Sequence, residues 1–352
     1  MFGASRFTSR DSLCSGSYIN HSISEPMLVC LYEDRPHQVA GLKILLLTLE
    51  RHHPAWPIRL RFPGIADSLR KWLKRFPQVR LCEKKLSSSE SYNVKPSVLL
   101  DGLADGPASC LWLDTDVIVN GDLDFIAGLP PEMIVITQDP WEYPDGSTHR
   151  CGTWHLQPAR SLPGPLNTAV VRVTRHHKDF LLAWQSLVVR ESYLQEQAKP
   201  TIQRNAHMLG DQDALSALLA SQEFSSIPVR RLIHPTEILQ HHGAGAYGPV
   251  QRWRNLVHGM PPLIHAMGSV KPWNMPATPN IFCSPRDYYE RVYLELSPYV
   301  HSARQFRSAL EEEVGWLDIR TWYGVAGTLL AFNRPSLKGF TQAALHRARL
   351  FR

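Results

Sequence analysis

The chain reads as an α/β protein: a doubly wound, mostly parallel sheet with helices on both faces, followed by a helical C-terminal tail. Two observations predict this. Short, continuously apolar runs alternate with amphipathic stretches of helical length from Met27 to about Glu196, the rhythm of parallel strands joined by crossover helices. Its 352 residues, 43% hydrophobic and 20% charged, suit one large soluble domain with an appendage.

The elements follow in order. Met27–Tyr32 is an apolar run of strand length, and Val39–Arg51 is an amphipathic helix ended by Pro54. Pro57–Phe62 is a second strand, and Ile65–Phe76 alternates apolar and basic residues at helical spacing. Val79–Glu83 is a third strand. Val94–Leu103 is a helix with Pro96 in its first turn, where proline is tolerated. Cys110–Leu113 and Met133–Thr137 are further strands. Leu166–Thr174 is another, followed by one long helix to about Glu196.

Two stretches break the rhythm. Asp139–Pro165 holds five prolines together with Trp141, Tyr143, Trp154 and His155. A loop of that length is usually functional or disordered, and its aromatics either stack on a sugar or pin the loop to the body. His241–Pro262 is glycine-rich and is a candidate lid.

Residues 1–26 are polar and serine-rich and lack the apolar core of a signal peptide, so a disordered leader is expected. The main domain is expected over 27–283 and a helical basic region over 284–352. The six cysteines are scattered with no Cys-x-x-Cys pair, which suggests reduced thiols and a cytoplasmic location. The longest aliphatic run, Ile44–Leu49, is too short to span a bilayer.

The formal net charge is +6. From Ile319 to Arg352 there is no Asp or Glu, while Arg320, Arg334, Lys338, Arg347, Arg349 and Arg352 supply six positive charges. Leu337, Phe340, Ala344, Ala348 and Phe351 recur at helical spacing beside them. Such a helix either lies peripherally on an anionic membrane, here the inner face, or docks on the body. Nucleic acid is not expected, because no aromatic stacking platform accompanies the charges.

Asp-x-Asp occurs three times, at Asp114/Asp116, Asp122/Asp124 and Asp211/Asp213. Only the first follows a run as apolar as Cys-Leu-Trp-Leu, which places it where a buried strand emerges from the sheet, the usual ligand-binding edge of such folds. About 150 residues on stands His265-Ala-Met-Gly268-Ser-Val-Lys271-Pro-Trp273. Two carboxylates, an imidazole and an ammonium are the groups needed to hold a divalent metal and a diphosphate. Asp211 opens a helix, and an N-terminal capping role for that pair is an open alternative.

These blocks resemble glycosyltransferase family 8, of the GT-A fold of nucleotide-diphospho-sugar transferases, which includes glycogenin and the bacterial lipooligosaccharide galactosyltransferases. Four blocks carry the likeness in the family's order: Leu113-Asp114-Thr-Asp116-Val, Leu166-Asn167-Thr-Ala-Val-Val, Gly210-Asp211-Gln212-Asp213 and His265-x-x-Gly268-x-x-Lys271-Pro-Trp. Asn93-Val-Lys95-Pro is a weaker fifth. Ala169 stands where many members have glycine, and Tyr32–Arg35 departs from the family's base-binding loop.

The resemblance implies that Asp114, Asp116 and His265 bind one divalent ion, Mn2+ or Mg2+. It implies that Lys95, Asp114, Asn167, Gly268 and Lys271 bind the donor, and that Asp211 and Gln212 face the reacting sugar. The implied activity is metal-dependent, retaining transfer of a hexose from a nucleotide sugar, such as a UDP-sugar, to a hydroxyl of a glycan or glycolipid acceptor. Two other classes stay open: a non-catalytic, membrane-associated nucleotide-sugar-binding protein, and a metal-dependent phosphohydrolase.

Overall fold

The computed structural model describes residues 26–86, 91–140, 146–241, 246–268, 270–274, 292–311, 314–319 and 321–348. Residues 1–25 of the expected leader lie outside these, as do Trp141, Tyr143, Arg349, Phe351 and Arg352.

The strands are β1 (Leu28–Tyr32), β2 (Ile58–Arg61), β3 (Val79–Cys82), β4 (Ser109–Leu113), β5 (Val117–Val119), β6 (Ile134–Gln138), β7 (Leu166–Thr174), β8 (Val229–Leu232), β9 (Ile238–Gln240) and β10 (Leu263–His265). The first eight helices are α1 (Val39–His52), α2 (Asp67–Leu73), α3 (Lys95–Ala104), α4 (Asp124–Ala127), α5 (Ser147–Thr153), α6 (Lys178–Val188), α7 (Glu191–Gln197) and α8 (Asp211–Ala220).

Seven strands form one sheet in the order β3-β2-β1-β4-β7-β6-β8. Four of its pairings are parallel. The exception is β7, antiparallel to both β4 and β6, with Leu113 opposite Val170. A second sheet, β5-β10-β9, extends from the end of β4.

Side chains of β1 and β4 divide by parity, as a pleated strand requires. Val29, Leu31, Leu111 and Leu113 join the core under α1 and α2. Leu28, Cys30, Tyr32, Cys110 and Trp112 join the core under α3, α6 and α8. Asp114 continues the second face and so emerges beside the start of α3. The local sequence thereby decides which helix the carboxylate meets.

Several expectations need correction. The long helix after β7 is two, because the chain turns at Val189 and Arg190 between α6 and α7. The proline-rich stretch contains α5. Within it Trp154 is 1% exposed, donates its indole N–H to the His207 carbonyl at 2.8 Å and packs on Tyr193. It pins the segment and cannot stack on a ligand. The glycine-rich candidate lid contains the helix Pro249–His258, and residues 242–245 of it lie outside the described residues, so the lid reading stands neither supported nor overturned.

The tail helix Phe340–Arg347 is docked on the body through buried Gln342 and Ala343. Lys338 is buried, with Nζ on the Asn333 carboxamide oxygen and His301 Nδ1, both at 2.8 Å. Its charge is therefore not free to face a membrane. Val300, Ala303, Phe306, Leu310 and Leu317 join the same core as α1.

The loop into β9 yields a pH prediction. Gln240 N–H donates to His234 Nδ1, so Nε2 carries the proton and donates to the Ala246 carbonyl at 2.8 Å. Burial pushes this imidazole down to about 4. The unfolded chain returns it to about 6.5. Between those values the unfolded state binds the extra proton, so stability falls as pH drops from 6.5 towards 4. The contribution at pH 5 is about 2 kcal/mol. His234→Gln should shrink the difference between urea midpoints at pH 7 and pH 5. An unchanged difference would assign the acid sensitivity elsewhere.

Candidate active site

The carboxyl ends of β1, β4 and β10, the start of β7 and the N-termini of α3 and α8 meet at one cleft. Lys95, Asp114, Asp116, Asn167, Asp211, Gln212, His265, Gly268 and Lys271 all line it. Tyr32, Glu33, Asp34 and Arg35 form a further wall.

Asp114 and Asp116 stand on the turn between β4 and β5, which the β7 backbone holds through Asp114 N–H to the Ala169 carbonyl at 2.8 Å. The Trp112 indole donates to Asp114 Oδ1 at 2.7 Å. Thr115, between the two acids, donates its hydroxyl to buried Glu33 at 2.6 Å, and Glu33 pairs with Arg35 at 2.8 Å. Pairing of β10 with β5 brings His265 opposite Val117, so a residue 149 positions from Asp116 faces it. Helix α1 passes close behind. At Gly41 a Cβ would lie 2.8 Å from the Thr115 carbonyl and 2.7 Å from Trp273, so only glycine fits. Gly268, at φ 102°, sits in the left-handed region that favours glycine.

One ligand atom each from Asp114, Asp116 and His265 lies within 4.8 Å of the others. The histidine tautomer follows from its neighbours. Gln240 donates its amide N–H to the Gln138 carbonyl at 3.1 Å, which turns its oxygen towards His265 Nδ1. Nδ1 is then the donor, and the Nε2 lone pair faces Asp116 Oδ1 at 3.3 Å. A lone pair opposite a carboxylate needs a cation or a proton between them, and with Asp114 adjacent the donor set suits a divalent ion. Gln240 carried no sequence signal, since nothing in β9 marks it as the group that orients a histidine.

Two ammoniums flank this centre. Lys271 donates to Asp116 Oδ2 and to the Ala266 carbonyl, the latter at 2.7 Å. Burial alone would raise the Asp116 pKa, but the Lys271 ammonium holds it well below the usual carboxylate range. Lys95 is buried, 3.0 Å from Asp114 Oδ1 and 3.5 Å from Asp211 Oδ2. Burial would lower its pKa, and the two carboxylates raise it instead. Thr168 links the set, accepting from Lys95 at 2.9 Å and donating to Asp211 at 2.9 Å. Burial raises Asp211 despite Lys95.

The two acids of α8 divide their work. Asp213 accepts from Leu209 N–H and Gly210 N–H and pairs with Arg150 at 3.2 Å, so it caps the helix. Asp211 and Gln212 face the cleft, and Gln212 Oε1 accepts from the Asn167 amide at 3.3 Å. Asp122 and Asp124 are exposed beside His53, whose Nε2 accepts from Leu123 N–H at 3.0 Å. That ring nitrogen is taken by the backbone.

No family model and no curated protein matches the chain. Among solved structures, it is similar to the galactosyltransferase LgtC in complex with donor and acceptor sugar analogs, at 18% identity. The match covers 71% of this chain and 90% of that one, with a TM-score of 0.47. It is also similar to the bifunctional glycosyltransferase WbbM, at 12% identity over 72% of this chain but only 47% of that one, TM-score 0.45. A third is the glycosyltransferase GlyE of Streptococcus pneumoniae TIGR4, at 17% identity over 81% and 64% of the two chains, TM-score 0.42. All three scores lie below 0.5, so the functional reading is carried by the site itself.

Proposed function

We propose that the protein is a metal-dependent glycosyltransferase that moves a hexose from a nucleoside-diphosphate sugar, a UDP-sugar in the first instance, to a hydroxyl of a glycan or glycolipid acceptor. The observation that carries this reading is the adjacency of the Asp114/Asp116/His265 donor set to two buried ammoniums and a polar wall of Asn167, Asp211 and Gln212.

Asp114, Asp116 and His265 would hold the ion, and the imidazole among them favours manganese over magnesium. When bound, the ion supplies positive charge against the leaving diphosphate. Lys271 supplies a second positive charge at the same end of the cleft, once released from Asp116. Gly268 lets the backbone approach the phosphates. Lys95 holds Asp114 and Asp211 in place from below. Asn167 and Gln212 present amides, and Asp211 a carboxylate, to the hydroxyls of the donor sugar. We extend the reading to retention of the anomeric configuration, which NMR of the product would establish.

The test is to incubate the purified protein with a panel of nucleotide sugars and Mn2+, then follow nucleoside diphosphate with and without acceptor. Transfer gives a glycosylated acceptor and loss of activity in EDTA. Binding without release would leave only a nucleotide-sugar-binding protein. Release of inorganic phosphate would mark a phosphohydrolase. A residue test accompanies it. Gln212→Ala removes a neutral contact at the reacting end, worth about 1 kcal/mol or more in the transition state. Turnover should fall roughly tenfold while donor affinity stays near normal; an equal loss of donor affinity would make Gln212 a binding residue only.

A further inference from the structure

Two helices of the C-terminal half are built inside out. Pro249–His258 buries Arg252 and Asn255 and exposes Val250 (72%), Trp253 (61%) and Val257 (60%). Its apolar stripe, spaced i, i+3, i+7, points away from the body. The buried Arg252 guanidinium lies 4.3 Å from the Tyr247 ring and donates to the Ser336 and Lys338 carbonyls.

Helix Trp322–Leu330 repeats the pattern by another route. Its inner face is small: a Cβ on Gly324 would lie 2.6 Å from Glu295, and one on Gly327 would lie 2.9 Å from Leu296. Its outer face carries Trp322 (73%), Val325, Leu329 (71%) and Leu330, and Phe332 (82%) protrudes just beyond its end. A water-facing helix would place these residues inward.

Shared neighbours link the two helices: a Cβ on Gly339 would meet Arg252 of the first and also Leu296, and Leu296 is the residue that a Cβ on Gly327 of the second would meet. Helix Phe340–Arg347 packs against Pro249–His258 and adds half-exposed Phe340. Large apolar side chains in such number on one region mark a docking surface.

Charge selects the occupant. Neither Ile238–Arg286 nor Ile319–Arg352 contains a single Asp or Glu. Arg254, Arg334 and Arg347 are exposed beside the apolar stripes. Acid-free helices with protruding Trp, Leu and Phe and a basic border fit a bilayer of acidic phospholipids. A second copy of this chain would bring two arginine-bearing faces together. No helix of the described residues is long and apolar enough to cross a membrane, so the fit is to lying on the surface.

We propose that the exposed apolar faces of helices Pro249–His258 and Trp322–Leu330, with Phe332, seat the protein on an acidic phospholipid bilayer. The headgroups meet Arg254, Arg334 and Arg347. Trp253, Trp322, Leu329 and Phe332 enter the interfacial layer. The attachment thus belongs to the folded body and is independent of the proposed catalytic reading.

The test is cosedimentation of the full chain with vesicles of phosphatidylcholine alone and of phosphatidylcholine with phosphatidylglycerol. The wild type should bind the mixed vesicles and lose much of that binding at high salt. Trp322→Ser/Leu329→Ser/Phe332→Ser should weaken binding at least tenfold, and Arg254→Gln/Arg334→Gln should remove most of the preference for phosphatidylglycerol. Thermal midpoints should be kept, because these side chains are exposed. Absence of wild-type binding would overturn the proposal, as would triple-variant binding equal to wild type. So would a wild-type dimer in solution that the triple substitution converts to monomer, since the face would then belong to a second copy.

Discussion

Asp116→Asn should lower kcat/KM for sugar transfer by about a thousandfold or more, roughly 4 kcal/mol of transition-state stabilisation, with the fold intact. Asp116 is the group on which the other site residues converge. Lys271 and His265 both face it, and the Lys271 ammonium keeps it ionised despite its burial. The substitution keeps the shape and removes the charge. The His265 Nε2 lone pair then faces a neutral amide, and the metal loses an anionic ligand where carboxylates supply most of the affinity. Lys271 loses the partner that holds it in the cleft. Manganese affinity, measured by titration calorimetry, should fall in parallel with turnover, while the circular dichroism spectrum stays that of wild type. Near-normal turnover, or wild-type activity that survives EDTA, would remove the metal from the reading.

Lys95→Ala is expected to have the largest effect on stability, about 3 kcal/mol, at the lower end of the range for breaking a buried ion pair because Asp114 is partly exposed. The ammonium is buried and serves Asp114, Asp211 and the Thr168 hydroxyl together. Alanine leaves two carboxylates facing one cavity with no compensating charge. Asp211, already raised by burial, would be pushed further towards its neutral form. The sign of the pH dependence follows. Protonating the orphaned carboxylates relieves their repulsion, so the gap between variant and wild type should narrow as pH falls. Urea unfolding at pH 7 and pH 5 measures both quantities. A loss below about 1 kcal/mol at pH 7 would show that the pair contributes no more than a surface salt bridge.

Much of this architecture was legible before any coordinates, because burial leaves a periodic trace. Strands β1 and β4 are nearly continuous apolar runs, as strands covered on both faces usually are. Asp114 and Asp116 stood out because charge follows abruptly on such a run. Asp211 and Asp213 are alike in local sequence, and the resemblance alone singles out Asp211; in the structure helix geometry turns Asp211 to the cleft and Asp213 to the backbone N–H groups.

What the sequence determined by itself was local: which segments become strands and helices, and which residue types converge on metal and diphosphate chemistry. The tertiary structure decided what depends on partners far along the chain. The antiparallel insertion of β7 leaves no mark in its own composition, because composition does not record the direction in which a buried strand runs. Thr168 and Gln240 acquire their roles only when β7 and β9 reach Lys95 and His265. The helix Pro249–His258 inverts the usual rule outright: its arginine is inside because backbone carbonyls at Tyr247, Ser336 and Lys338 receive it. A periodic pattern shows that a helix has two faces, and only the surrounding chain decides which one is buried.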